Sequence, residues 1–220
     1  MKIILTSIFL LLTSGCSGTV KSNADYPESW WKPFPEDEAH SWEILPQAAG
    51  PGEVILSKRT ELGILSNFAP TPFKYDGKHY ASLEGFWQMM KFPENEADPR
   101  ASHPGLTWDH TRHEVSQMVG FEAKRAGSHA SKNMKKMGIN WVSFKNKRMT
   151  YRTPAKGEHC KLIVAATREK IRQNPKVKEI LLKTGNLKLR ADHKQKANTP
   201  PAWKYFEILM EIREIISDEN

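Results

Sequence analysis

The nine residues Leu83-Glu-Gly-Phe-Trp-Gln-Met-Met-Lys91 constrain the fold more than any other stretch of the chain. Ser82 ahead of them is an N-cap residue, and Pro93 behind them stops a helix. At about 100° per residue, Glu84, Gln88 and Lys91 fall at i, i+4 and i+7, inside a stripe roughly 60° wide. The remaining positions, Leu83, Phe86, Trp87, Met89 and Met90, are apolar, apart from Gly85. A helix apolar all round belongs inside a protein. Its polar stripe is therefore expected to look into a cleft, because a carboxylate and an ammonium rarely stand in an interior without partners or function. From spacing alone, an internal salt bridge or a solvated helix edge is the alternative.

Around this helix the local signals alternate. Glu53 to Arg59 centres on Val54-Ile55-Leu56, as a strand does, and Pro72 to Ala81 reads as a hairpin turning at Asp76-Gly77. Further helices are expected at Asp109 to Val119, Phe121 to Met137 with Gly138 as stop, Glu158 to Gln173, and Val177 to Lys183 ending at Gly185. Asn186 to Ala191 alternates apolar and polar residues like a half-buried strand. The last helix places Tyr205, Ile208, Leu209, Ile212, Ile215 and Ile216 on one broad side. The class implied is α+β, helix-rich with a few strands. With 220 residues, one domain with a sizeable core is expected, and no repeat is visible.

The organisation expected is a signal peptide over residues 1–15, a tether and aromatic, proline-rich wrap over 16–52, and the main domain over 53–217. Lys2, the apolar run Ile3 to Leu12, and Leu12-Thr-Ser-Gly-Cys16 read as a lipoprotein signal, with Cys16 as the lipidated anchor facing the periplasm or cell surface. The apolar run is shorter than the ~20 residues of a spanning helix. Trp30, Trp31, Phe34 and Trp42 make the following segment too aromatic for a purely solvated linker. Only Cys160 remains beyond Cys16, so no intrachain disulfide is expected; its apolar neighbours mark it as a buried structural thiol.

The formal charge of +8 changes little on export: loss of Lys2 leaves 32 basic against 25 acidic residues, or +7. Such a balance attracts phosphate-bearing ligands, nucleic acid or anionic lipid without choosing among them. His110 and His113 near Asp109 are the closest histidine pair, too little for a metal site, so neither metal nor cofactor is expected. Walker-type phosphate loops and nucleophile elbows are absent from the sequence.

Several letters recur in a specific order. Glu61-Leu-Gly-Ile-Leu-Ser-Asn-Phe-Ala-Pro-Thr-Pro-Phe73, then Asp76-Gly-Lys78, then Ser82-Leu-Glu-Gly-Phe-Trp-Gln-Met-Met-Lys-Phe92 resembles the signature of the NADAR superfamily, the YbiA-like domains. The resemblance continues through Lys147-Arg-Met149 and Tyr205 to Arg213. It implies a compact α+β fold and hydrolysis of an N-glycosidic bond in a phosphorylated ribosyl-base or ADP-ribosyl compound. By the same resemblance Glu84 is the helix glutamate, Lys91 the helix lysine, Asn67 and Phe68 the entry loop, and Asp192 an acidic residue after the last strand. Gln88 shares the stripe, and Trp87 or Phe68 is a candidate for stacking on the base, with a core role as the alternative for each.

The roles follow from the chemistry. Breaking a base-to-ribose bond develops positive charge on the sugar, so a carboxylate beside C1 stabilises it or prepares water; Glu84 is the choice. Asp192 or Lys91 would help the base depart, and Lys91 has two further options, phosphate binding or a transient imine. Two departures from the pattern stand out: Gly85 where many members have histidine, and Ala191 to Trp203 where many have a glycine-rich loop. The competing readings are a non-catalytic NAD- or ADP-ribose-binding module and an enzyme acting on ADP-ribosylated nucleic acid. No obligate protein partner is implied.

Overall fold

The computed structural model describes residues 25–218; the expected signal segment and Cys16 lie outside the described residues. At the centre is α1 (Leu83–Met89), every residue of which is buried. The Ser82 hydroxyl accepts from Gly85 N at 2.9 Å and donates to the Met118 carbonyl at 2.8 Å, so the cap also ties the helix to a neighbouring segment. Beyond Met89 the chain tightens into turns, with Lys91 N bonded to Gln88 O and Phe92 N to Met89 O. Lys91 thus stands just past the helix rather than within it, one i+3 step from Gln88.

Two strands, β1 (Glu53–Ile55) and β6 (Lys188–Arg190), pair in parallel with Val54 opposite Leu189. The hairpin β2 (Phe73–Tyr75) and β3 (Lys78–Tyr80) turns where expected, with Asp76 and Gly77 both at positive φ, 50° and 74°. A second hairpin, β4 (Trp141–Phe144) and β5 (Lys147–Thr150), is not among the sequence expectations; it turns at Lys145 and Asn146, again both at positive φ.

The helices fill in around α1. Thr111 and Glu114 close a reciprocal capping box, which starts α2 (Arg112–Ser116) later than the Asp109 expected. Next come α3 (Gly120–Lys136), stopped by Gly138 at φ 66°, α4 (Glu158–Gln173), α5 (Pro175–Lys183) and α6 (Tyr205–Asp218). Helix α1 packs on α2, α3 and α4, while α6 covers β6. With helices and small separate sheets around one core, the architecture is α+β. Among the described residues no helix is long and apolar enough to cross a membrane.

Residues ahead of β1 join that core. Trp30 is fully buried and donates from Nε1 to Glu61 at 2.7 Å, Tyr26 donates to Asn186 at 2.8 Å, and Trp31 donates to the Glu53 carbonyl. The last carbonyls of the α1 segment are capped from behind by two arginines. Arg100 donates to Met90 O at 3.0 Å; Arg112 donates to Met89 O, to Phe92 O at 2.9 Å, and to Ser143 O of β4. Cations at a helix C-terminus satisfy carbonyls that no intrahelical amide reaches, and they oppose the helix dipole.

Candidate active site

The polar stripe of α1 meets α3. Ala123, Ala126, Gly127 and Ala130 recur at i, i+3, i+4 and i+7 on α3 and are all buried, so the two backbones approach closely. Glu84, Gln88 and Lys91 are 6%, 2% and 7% exposed. The expected open cleft is therefore replaced by a packed interface. Two surface cavities lie elsewhere, one of about 320 Å³ beside Glu94, Trp141 and Arg148 and one of about 430 Å³ beside Tyr75, Cys160 and Arg168. Cys160 is buried and free, its thiol pushed up by burial.

Within the interface Gln88 Nε2 donates to Glu84 at 2.6 Å. Lys91 Nζ donates to Gly127 O at 3.2 Å and to Ser131 Oγ at 2.9 Å. Burial raises the Glu84 pKa, opposed by the charge of Lys124, the Gln88 hydrogen bond, and the charges of Lys91 and Lys58. Burial, with Lys124 adding to it, brings Lys91 down to about 7 against the pull of Glu84. Burial thus moves both groups towards their neutral forms, and each acts on the other electrostatically.

Gly85 is explained by the segment packed on it. A Cβ there would stand 2.6 Å from Met118 O and 2.9 Å from Val115 O, so the backbone around α2 occupies the space that a side chain would need.

Asn67 and Phe68 stand beside the same helix. The Asn67 carbonyl accepts from Glu84 N at 2.9 Å, and the Phe68 carbonyl accepts from Gly120 N at 3.1 Å, so one loop joins the N-termini of α1 and α3. The loop is held from below by Lys170, which is 1% exposed and donates to Ser66 O at 2.7 Å; burial lowers its pKa to about 7.

Asp192, 1% exposed, follows β6 and is surrounded by donors. Lys58 Nζ forms an ion pair with it, His193 Nδ1 lies 3.0 Å away, and the Tyr205 hydroxyl lies at 3.5 Å. Burial pulls its pKa up, but the His193 hydrogen bond and the Lys58 charge outweigh that, leaving it below the usual aspartate value. Lys58 in turn lies over the rings of Phe68 at 5.1 Å and Trp42 at 5.7 Å. It links Asp192 to the loop at the head of α1.

Trp87 projects from the other side of the stripe. Its ring meets His159 at 4.8 Å and Trp203 at 6.0 Å, and Tyr151 completes the group with Lys91 Nζ 6.0 Å above its centroid. Burial and the Lys91 charge bring His159 down to about 4, so its ring is neutral at physiological pH. His159 Nε2 and Gln88 Oε1 are buried without a hydrogen-bond partner among the described residues, an uncommon state for polar atoms.

Sequence reasoning missed Lys58, Lys124, Gly127, Tyr151 and His159 as members of this site. Only Gly127 carried a signal, as one of four small residues at helical spacing on α3.

No family model matches the chain, and no curated protein matches it. Among solved structures it is similar to the NMR structure of the E. coli protein YbiA, with 20% identity over 75% of this chain and 86% of that chain, at a TM-score of 0.45. A likeness of this degree leaves the chemistry to be read from the residues themselves.

Proposed function

We propose that the chain is a metal-independent N-glycosidase that hydrolyses the base-to-ribose bond of a phosphorylated ribosyl or ADP-ribosyl compound. The observation that carries this reading is the buried Glu84, hydrogen-bonded to Gln88 in an otherwise apolar helix and acted on electrostatically by Lys91 just past its end. The motif resemblance supplies the reaction class, and the geometry supports a division of roles.

As the base leaves with the bonding electrons, C1 of the ribose becomes cationic. The Glu84 carboxylate stabilises that charge and takes a proton from the attacking water, a task suited to a carboxyl whose burial raises its pKa. Lys91, brought to about 7, holds a proton it can release or accept near neutrality, which fits help to the departing base better than does Asp192. Asp192 stays ionised beside Lys58 and His193, and its part is to hold Lys58 over the entry loop.

The test is base release by the full chain from NAD, ADP-ribosylated guanosine and riboflavin-pathway ribosylamines, with Glu84→Gln alongside. The expected outcome is release by the wild type and a loss of about 10²-fold or more in the variant, the usual worth of a general acid or base. Equal rates in the two proteins, or no release from any compound, would overturn the reading.

A further inference from the structure

Four large hydrophobic side chains among the described residues are markedly exposed: Trp42 at 38%, Phe121 at 49%, Trp203 and Ile215. Two of them touch. The Trp42 and Phe121 rings lie 6.1 Å apart, tilted by 60°, and Phe68 meets Phe121 edge to face at 5.1 Å. Isolated exposed hydrophobics are ordinary, but a contiguous aromatic surface is not.

This surface is held in place. Trp42 lies in a segment ahead of β1 that is fastened at several points. Arg59 donates to Glu43 at 2.7 Å and to Glu38 O at 2.8 Å, Glu43 forms a β-bridge with His193, and Ile44 N donates to Asp192 O at 2.7 Å. Phe121 lies in the first turn of α3. A stacking surface fixed before its ligand arrives avoids the entropic cost of ordering it.

It also leads to the stripe. Phe121, Lys124, Gly127 and Ser131 follow one another at three- and four-residue spacing along α3, and the last two are the partners of Lys91. Lys124 acts electrostatically on both Glu84 and Lys91. Lys58 lies over both Trp42 and Phe68, and Phe68 is one peptide from the carbonyl that receives Glu84 N. Trp42 is stacked on His40, 5.3 Å away and 13° from parallel, and Lys58 covers Trp42 and Phe68, so Phe121, 49% exposed, offers the ring for a heterocyclic base, with Lys124 and Lys58 placed for its linked phosphate.

We infer that Phe121, buttressed by Trp42 and Phe68, forms a nucleobase-stacking platform for a free nucleotide-type substrate, and that the segment ahead of β1 supplies one wall of the site. This rests on the glycosidase reading for the position of the base relative to Glu84. The stacking itself does not require turnover.

The test is calorimetric binding of GMP, AMP, ribose 5-phosphate and a single-stranded pentanucleotide to the full chain, with Trp42→Ala and Phe121→Ala as separate variants, each checked for folding by circular dichroism. The expected result is that at least one nucleotide binds the wild type and is weakened about fivefold to 150-fold by either variant, the range of one base stacked on an aromatic ring. Ribose 5-phosphate affinity should stay unchanged. Nucleotide affinity equal in the wild type and both variants, or no nucleotide binding by the wild type, overturns the platform. Pentanucleotide binding tighter than mononucleotide by tenfold or more overturns the free nucleotide as its occupant. If Trp42→Ala does not fold, Phe121→Ala alone decides. Nucleotide binding that depends on the rings without any base release removes the glycosidase reading and keeps the platform; base release with KM unchanged in both variants does the reverse.

Discussion

Gln88 occupies the space where Gly127 has no side chain. A Cβ at position 127 would stand 1.7 Å from Gln88 Oε1 and 2.2 Å from its Cδ, so the Gln88 to Glu84 hydrogen bond depends on a glycine one helix away. Because the atom it would strike is the end of a flexible side chain, Gly127→Ala should displace Gln88 rather than prevent folding. The expected cost is about 1–3 kcal/mol, as for other overpacked interiors. Gln88→Ala should remove most of that cost when combined with it. Urea unfolding of the four proteins in a double-mutant cycle measures the coupling; additive effects would mean that the two residues do not contend for the same space.

The buried cations set a pH dependence of stability with two windows. Lys91 and Lys170 have folded values of about 7 against roughly 10.4 in the unfolded chain. Between those values the unfolded chain binds more protons, so stability rises with pH, by at most about 1.4 kcal/mol per pH unit for each group. His159, at about 4 against roughly 6.5 unfolded, gives a similar rise at lower pH and nothing above it. The urea midpoint should therefore climb from pH 7 to 9, and Lys91→Met should make that climb shallower. A flat profile over this interval would show that the two ammonium groups are not held down by burial.

Asp192 contributes in the opposite part of the scale. Its folded value lies below the ordinary one, so its contribution is complete above about pH 4 and disappears as acid protonates the folded carboxylate. Asp192→Asn should cost about 1–3 kcal/mol at pH 7, with Lys58, 30% exposed at its side chain, partly resolvated. The gap between variant and wild type should narrow towards pH 3. Unfolding curves at the two pH values check this, and an unchanged gap would assign the loss to packing.

What could be read from the chain was mainly local. Ser82, Asp76-Gly77, Gly138 and the periodic sides of α3, α4 and α6 act within a few residues of themselves, and the helices and first hairpin follow from them. The Glu84–Gln88 pair was legible for the same reason. The surface it faces was not, because nothing in α1 says that α3 covers it. The β1–β6 pair joins residues 135 positions apart, such as Val54 and Leu189, and neither strand names its partner. The second hairpin did carry a sign, Asn146 in a left-handed turn, but one asparagine after a lysine is weak beside Asp-Gly. Lys58 had no signal at all; its place between Asp192 and two rings exists only in the folded chain.

The two arginines behind α1 bear on how variants of this protein are interpreted. A helix of seven residues has almost no independent persistence, since its nucleation is unfavourable and it is too short to recover the cost. Its shape is inherited from Arg100 and Arg112, which join its last carbonyls to β4 and to the stretch between α1 and α2. A change at either arginine would alter the orientation of Glu84, Gln88 and Lys91 without touching any of them. In a screen scored by activity, such a change would be counted among the chemical residues although its carrier sits on the far side of the helix.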